Sequence, residues 1–152
     1  MTKTAFITGA SKRIGKAIAE SLAEQGWNVI VHYNFSEKEA KTLVADLTLK
    51  YAYQQFHTIQ ANLSDKNEVS KIIPQLVSEF GAFQLLVNNA SVFNAGYLKE
   101  TDFDLFETQM KVNLKAPFFL IRDFANYCKQ GNIINFVDTR VTSNKSDFAA
   151  YS

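Results

Sequence analysis

Short apolar runs alternate with longer amphipathic runs along the whole chain. Runs rich in Val, Ile, Leu and Phe predict buried β-strands, whereas apolar residues repeating every three or four positions predict helices. The predicted strands cover about residues 3–8, 27–33, 54–60, 83–88 and 132–137. The predicted helices cover about residues 14–25, 36–50, 65–80 and 103–129. Pro74 is expected to bend or interrupt the third helix.

This alternation of strands and helices predicts an α/β protein with a Rossmann-type, doubly wound parallel sheet, built as a single domain over residues 1–152. Right-handed crossovers would place helices on both faces of the sheet. The expected strand order is 3-2-1-4-5. A ligand is then expected at the carboxyl edge, between the first and fourth strands, where the direction of winding reverses.

Composition and charge narrow the class of protein. The formal net charge is +1 and the basic residues are scattered, which argues against a nucleic-acid surface. No apolar run approaches the roughly 20 residues of a membrane-spanning helix, and the N-terminus lacks the pattern of a signal peptide. Cys128 is alone, so neither a disulfide framework nor a cysteine-based metal site is expected. We expect a cytoplasmic protein without a metal.

Glycines mark the turn between the first strand and the first helix. Gly9 would allow a tight turn, and Gly15 would allow the helix to approach the strand closely. The backbone N–H groups of such a turn can hold a pyrophosphate at the helix N-terminus. The alternative is a strand–turn–helix connection that merely requires glycine. The pattern favours a dinucleotide site.

The residues after the second strand indicate which dinucleotide. An NAD site usually places Asp or Glu there for the ribose hydroxyls, but residues 32–36 read HYNFS, and the first acid is Glu37. A 2′-phosphate would meet no repulsion from this stretch. The side chains expected to donate hydrogen bonds to it are Lys12, His32, Asn34 and Ser36. NADP(H) is therefore favoured over NAD, unless the stretch is an ordinary polar loop.

The chain resembles the short-chain dehydrogenase/reductase family over essentially its whole length. The resemblance rests on residues 8–15 (TGASKRIG), 62–65 (NLSD), 88–90 (NNA) and Asn113, which occur in the family's order. It implies that Lys12 matches the basic residue of NADP-preferring members and that Asn62 and Leu63 contact adenine, with Asn62 standing where Asp is usual. The resemblance and the turn together predict cofactor contacts at Gly9, Ser11, Lys12, Arg13, Ile14, Gly15, His32, Tyr33, Asn34, Ser36, Asn62, Leu63, Asn89, Ala90 and Ser91.

Departures from the common family pattern point to one branch. Arg13 replaces the middle glycine of the turn, Ser91 replaces the glycine after Asn-Asn-Ala, and Asp138 replaces the catalytic serine. Together with Phe93 and the His-Tyr-x-x-Ser stretch, these features make the chain similar to pteridine reductases, or to reductases of the dihydrofolate/dihydromonapterin type. The resemblance implies a pterin-like small-molecule substrate.

The chemistry of a pterin fits these residues. A pterin is flat and polar, so it would stack between Phe93 and the nicotinamide. Arg13 and Ser91 would serve both the cofactor phosphate and the pterin, while Asp138 would pair with the pterin's amino and ring N–H groups. Taken without the resemblance, these residues allow plainer roles. Phe93 would be an ordinary aromatic, Arg13 a surface arginine and Asp138 a turn cap.

Tyr151 is the expected proton donor. It follows Asp138 by thirteen residues, the spacing that the family uses, and the resemblance adds Asn113 to these two as catalytic residues. The residues alone would equally allow Asn113 to satisfy a helix kink. The family pattern is Tyr-x-x-x-Lys, and its lysine would fall three residues beyond Ser152. We therefore expect a C-terminally truncated member.

This expectation has structural consequences. The family's later strands and helices would be absent, which leaves an open sheet edge and an uncovered helix face. The family is homo-oligomeric, and half of its usual interface would be missing, so we expect low solubility or self-association. The apolar residues expected to lose their cover are Ile133, Ile134, Phe136 and Val137 on the strand and Phe118, Phe119, Ile121 and Phe124 on the helix.

Three functions remain open on these grounds. The first is an NADPH-dependent reductase that transfers hydride to a pterin, dihydropteridine or related substrate. The second is reduction of a 3-oxoacyl thioester or another small carbonyl, against which Asp138 and Phe93 argue. The third is an inactive fragment, or one half of a split enzyme, that at most binds nucleotide.

Overall fold

The computed structural model describes residues 3–139 and 147–151. In chain order its strands are β1 (Thr4–Ile7), β2 (Asn28–Tyr33), β3 (Phe56–Gln60), β4 (Leu85–Asn88) and β5 (Asn132–Asn135). Its α-helices are α1 (Arg13–Glu24), α2 (Glu37–Lys50), α3 (Lys66–Phe80), α4 (Phe103–Met110) and α5 (Ala116–Cys128). A short 3₁₀ helix covers Leu98–Glu100. No helix in the described part of the chain has both the length and the apolar character needed to cross a membrane.

The strands form one parallel sheet in the order β3-β2-β1-β4-β5, so the predicted fold class and strand order are confirmed. In the centre, Phe6 of β1 lies in register with Ile30 of β2 and Leu86 of β4. The carboxyl ends of all these strands meet at one edge. The turns that follow β1 and β4 therefore lie side by side at the point where the winding reverses.

Both faces of the three central strands β1, β2 and β4 are buried, which explains why these strands read as continuous apolar runs rather than alternating ones. Phe6 points into a core that includes Ile73 of α3 and Leu120 of α5. Its neighbours Ala5 and Ile7 point into the opposite core, which includes Leu43 of α2. The helices thus cover both faces, as the crossover rule requires.

The helix α3 shows how local chemistry fixes the position of an element. Asp65 caps its N-terminus, because the Oδ1 atom accepts the backbone N–H groups of Asn67 at 2.7 Å and Glu68 at 3.4 Å. Pro74 lies inside this helix, which runs without interruption from Lys66 to Phe80. Pro74 therefore does not interrupt the helix, and a bend at this residue stays a prediction.

The long helix predicted over residues 103–129 is divided into parts. A π-helical segment, Lys111–Lys115, lies between α4 and α5 and contains Asn113. The hydrophobic pattern of residues 103–129 was interpreted with the regular α-helical repeat. A π-helical turn contains one extra residue, and this pattern did not reveal it. Such segments occur frequently at functional sites.

The apolar residues on and after β5 are partly exposed, as predicted, with Val137 at 71% and Phe136 at 51% exposure. On α5, Phe118 is likewise 62% exposed. For Phe124 the prediction is wrong, because the helix turns this ring towards the core, where it lies 5.2 Å from the ring of Phe83. Ile121 also packs partly against the same core, so α5 is covered along one side.

Candidate active site

The turn after β1 is a cradle that leaves no room for side chains. Gly9 has φ +62°, and a Cβ there would lie 3.0 Å from the Ala90 Cα atom. A Cβ on Gly15 would lie 2.4 Å from the Gly9 carbonyl oxygen and 2.6 Å from the Asn89 Nδ2 atom. Only glycine at both positions allows the N-terminus of α1 to sit this close to the ends of β1 and β4.

Hydrogen bonds join this turn to the loop after β4. The Thr8 hydroxyl oxygen accepts the backbone N–H groups of Asn89 and Ala90, each at 3.0 Å. In return, the Asn89 Nδ2 atom donates to the carbonyl oxygens of Thr8 at 2.9 Å and Gly9 at 3.1 Å. Thr8 was not among the predicted site residues, although its place directly after β1 at the winding reversal was a signal for it. Asn89 and Ala90 thus lie beside the glycine turn, and their contact with a cofactor stays a prediction.

His32 has a different role from the phosphate donor that was expected. Its ring is only 2% exposed, and its Nδ1 atom accepts the backbone N–H of Gly9 at 3.0 Å. The proton therefore sits on Nε2, which donates to the Ala61 carbonyl oxygen at 3.0 Å. Burial lowers the pKa of His32 from 6.5 to about 4, so the ring is neutral at physiological pH. Both ring nitrogens are used inside the protein, which leaves none for a phosphate.

The rest of the predicted HYNFS stretch is divided between core and surface. Tyr33 is buried in the core with Leu43, and its contact with the cofactor stays a prediction. Asn34 and Ser36 are half-buried at the end of β2 and the start of α2. Ser36 occupies the N-cap of α2 without a capping hydrogen bond from its side chain. Its hydroxyl thus remains a candidate donor at this edge.

A cationic cleft of about 490 Å³ lies between the glycine turn and α2. Lys12 and Glu39 meet across it, with the Lys12 Nζ atom 2.6 Å from the Glu39 Oε1 atom. This pairing was missed, because Glu39 lies beyond the stretch in which an acid was sought. The residues lining the cleft are Ser11, Lys12, Arg13, Lys16, Lys38, Glu39, Thr42 and Leu43.

Arg13 occupies its position at a conformational cost. Its φ of +52° lies in the left-handed region, where a side chain costs roughly 1–2 kcal/mol. This agrees with its alignment to a glycine position of the family. Arg13 and Ile14 are both exposed at the start of α1. Arg13 lines the cationic cleft, and its second expected role, towards a pterin, stays a prediction.

The residues predicted to contact adenine lie in the loop after β3. The Asn62 Oδ1 atom accepts the backbone N–H of Ser64 at 3.0 Å and its hydroxyl at 2.7 Å, which shapes this loop. The side chain of Leu63 is buried in the core. The contact with adenine stays a prediction for both residues.

Asn113 fastens the π-helical segment to the loop that follows β4. Its Oδ1 atom accepts the backbone N–H of Val92 at 2.9 Å, and its Nδ2 atom donates to the Val92 carbonyl oxygen at 2.8 Å. The same Nδ2 atom also donates to the Gln109 Oε1 atom at 2.8 Å, and Gln109 in turn holds the Asn94 carbonyl oxygen at 3.2 Å. Gln109 is fully buried and was not singled out in the sequence. The π segment therefore positions the loop carrying Ser91 and Phe93.

The expected proton donor and its partners come together beyond β5. The Tyr151 hydroxyl donates to the Asp138 Oδ2 atom at 3.3 Å. The Phe93 ring stacks on the Phe148 ring, with centroids 3.9 Å apart and planes 6° apart, and meets the Tyr151 ring edge-on at 4.7 Å. Phe148 was missed in the sequence, where it is one of 13 phenylalanines. Asp138 and Tyr151 line a cleft of about 360 Å³ with Ser91, Asn113 and other residues.

Comparison with protein families gives a match over residues 3–152 to the model described as short chain dehydrogenase. Among curated proteins, the 3-oxoacyl-[acyl-carrier-protein] reductase FabG of Staphylococcus aureus strain Mu50 is 39% identical over 122 residues, which are 80% of this chain and 49% of that protein. Versicolorin reductase 1 of Aspergillus parasiticus is 30% identical over 152 residues. The chain thus spans about half the length of the curated relatives it matches.

Solved structures with the same fold include one bound to a nicotinamide dinucleotide. The FolM alternative dihydrofolate reductase 1 of Brucella suis, in complex with NADP, matches with a TM-score of 0.90 and 30% identity. The match covers 98% of this chain and 62% of that one. The fold of this chain is therefore that of a larger group of reductases acting on chemically different substrates.

Proposed function

The chain belongs to the short-chain dehydrogenase family, and from that premise we propose that it binds NADP(H) at the turn between β1 and α1. The observation that carries this proposal is the cradle formed by Gly9, Gly15 and Asn89, which a single Cβ atom would fill. The turn presents the N-terminus of α1, and the backbone N–H groups and dipole of a helix N-terminus favour a phosphate.

The donor set of the surrounding residues fits such a dinucleotide. The pyrophosphate would lie on the turn, while Lys12, Asn34 and Ser36 would face the 2′-phosphate. In the proposal His32 does not contact the cofactor but supports the turn, because its Nδ1 atom accepts the Gly9 backbone N–H. The remaining contacts are proposed at Ser11, Arg13, Ile14, Asn62, Leu63, Asn89, Ala90 and Ser91. When bound, the nicotinamide supplies the hydride.

We further propose that Tyr151 gives the proton that accompanies hydride transfer. Its hydroxyl lies 3.3 Å from the Asp138 carboxylate, which holds the O–H group in a defined direction. Asn113 acts one step away, because it fixes the loop that carries Ser91 and Phe93. The proton would pass from the Tyr151 oxygen to the nitrogen or oxygen of the substrate double bond whose carbon accepts the hydride.

A pterin or dihydropteridine is the proposed substrate class. Phe93 is the residue proposed to stack on the flat heterocycle, and its ring already forms an aromatic group with Phe148, whose centroid lies 3.9 Å away. The Asp138 carboxylate is a hydrogen-bond acceptor, which suits the amino and ring N–H groups of a pterin better than a ketone oxygen. The likeness to the NADP-bound alternative dihydrofolate reductase supports this choice.

A 3-oxoacyl thioester is the second candidate, favoured by the 39% identity to the S. aureus FabG protein. The two candidates are separated by following NADPH oxidation with dihydrobiopterin, dihydrofolate and an acetoacetyl thioester. Turnover of a dihydropterin supports the first, and turnover of the thioester alone supports the second. NADPH binding without turnover of any of the three would leave a nucleotide-binding function, which is the third candidate.

Replacing Lys12 with glutamine is expected to weaken NADP⁺ binding about tenfold and to leave NAD⁺ binding nearly unchanged. In the proposal the Lys12 ammonium group faces the 2′-phosphate, which NAD⁺ lacks, and a hydrogen bond to a charged group is worth about 1.5–3 kcal/mol. Calorimetric titration with both dinucleotides measures the two effects. Lys41→Gln is the control, because Lys41 pairs with Glu37 on α2 at 2.6 Å and does not line the cleft. Equal losses for NADP⁺ and NAD⁺ would contradict the assignment.

A further inference from the structure

Among the residues that line the cationic cleft, Glu39 is the single carboxylate beside four basic side chains. Glu39 stands in the first turn of α2, and Lys12 is the N-cap of α1, so their 2.6 Å ion pair bridges two separate elements. Both side chains are about half exposed, at 45% and 49%. The pair therefore stands open to solvent at the place where the 2′-phosphate is proposed to bind.

The charge of Glu39 opposes that ligand. The hydrogen bond from Lys12 is the largest cause that lowers the pKa of Glu39, so the group is a carboxylate at neutral pH. A phosphate monoester carries a charge of about −1.5 to −2 at pH 7. To pair with Lys12 it must share the ammonium group with Glu39 or displace Glu39, and in both cases a carboxylate stands beside the phosphate. NAD has no such group and leaves the ion pair intact.

We propose that Glu39 is a specificity-determining residue that limits the preference for NADP over NAD, by competing with the 2′-phosphate for Lys12. The inference rests on the proposed binding of NADP at this turn. Lys12 is already paired with one anion, Glu39. The 2′-phosphate therefore gains less binding free energy from Lys12 than it would gain from an unpaired lysine. Glu39 thus sets how tightly NADP is held without contacting any part that NAD shares with it.

Glu39→Gln is the direct test, and Glu37→Gln is its matched control. Both carboxylates lie in the first turn of α2 and pair with a lysine at 2.6 Å, and each substitution removes one negative charge. Glu37, however, pairs with Lys41 on its own helix and does not line the cleft. Calorimetric titration of the full chain with NADP⁺ and with NAD⁺ is the measurement.

We expect Glu39→Gln to tighten NADP⁺ binding about two- to fivefold at low salt, a range typical of exposed ion pairs. Binding of NAD⁺ should not change, and Glu37→Gln should affect neither dinucleotide. The gain should shrink at high salt, because exposed charges are screened. Equal effects of the two substitutions, or a parallel change for NADP⁺ and NAD⁺, would overturn the inference.

A double substitution tests whether Glu39 acts through Lys12. In the Lys12→Gln background, Glu39→Gln should give a smaller gain for NADP⁺ than it does alone. If Glu39→Gln raises NADP⁺ affinity as much in this background as it does alone, Glu39 repels the phosphate directly. The proposed competition for Lys12 would then be wrong. If Glu39→Gln leaves the ratio of NADP⁺ affinity to NAD⁺ affinity unchanged, the inference fails while dinucleotide binding stands. If it binds neither, the proposed function fails as well.

Discussion

Gly15→Ala should destabilise the fold by about 3 kcal/mol and abolish binding of NADP⁺. The added Cβ would lie 2.4 Å from the Gly9 carbonyl oxygen and 2.8 Å from the Ala10 Cα atom. These are backbone atoms in the cradle itself, so they cannot yield as the end of a flexible side chain would. The helix α1 would have to move away from the sheet, and overpacking of this kind typically costs 1–3 kcal/mol, occasionally more. The same movement would open the phosphate cradle.

Urea unfolding and calorimetric titration with NADP⁺ measure the two effects of Gly15→Ala. Gly26→Ala is the control, since Gly26 has φ +85° and nothing within 4 Å of the added Cβ. It should cost only the strain of the left-handed backbone, roughly 1–2 kcal/mol, and leave NADP⁺ binding intact. If the Gly15→Ala protein is as stable as the control and still binds NADP⁺, the backbone around Gly15 does have room for a Cβ atom, which contradicts the geometry of the cradle.

The unfolding free energy should fall by up to about 3 kcal/mol as the pH drops from 6.5 to about 4, because of His32 alone. Burial lowers the pKa of His32 from 6.5 to about 4, so in this window the unfolded chain binds a proton that the folded chain excludes. The stabilisation is fully present above pH 6.5 and is lost as the pH falls through the folded pKa. Protonation also removes the acceptor for the Gly9 N–H.

Urea unfolding at several pH values, for the unaltered chain and for single variants, isolates this contribution. In the His32→Gln variant the free energy of unfolding should change much less with pH. The His57→Gln variant should keep most of the pH dependence of the unaltered chain. His57 is half-buried and stacks on Phe80 at 4.2 Å, and its pKa is lowered too, by burial. The carboxylates contribute alike to all three proteins. NMR titration of the unaltered chain keeps the test independent of variant folding. An imidazole of His32 that titrates near 6.5 would contradict the buried, doubly bonded ring.

Local pattern and chain order were enough to predict the sheet and the place of the site. The apolar runs predicted the strands, and Gly9 and Gly15 marked the turn that the structure places at the winding reversal. Crossover handedness then left one arrangement of strands. The resemblance to the family, through its spacing of thirteen residues, also led to the prediction that Asp138 orients Tyr151, and the two side chains lie in hydrogen-bond contact.

What the sequence did not reveal depends on contacts across the fold. His32 connects β2 to two other segments, because its ring nitrogens bond to the Gly9 backbone N–H and the Ala61 carbonyl oxygen. These contacts join residues far apart in sequence, so no local pattern predicts them. Glu39 reaches Lys12 only because α1 and α2 lie side by side. For Phe124, the helical period identified an apolar position but not its side, which the packing against Phe83 decides.

Calorimetric titration of the unaltered chain with NADP⁺ and NAD⁺ tests the central claim most directly. The cradle of the glycine turn and the ammonium group of Lys12 predict saturable binding of both dinucleotides, with NADP⁺ the tighter. A folded chain that gives no binding heat with either dinucleotide at millimolar concentration would contradict the account.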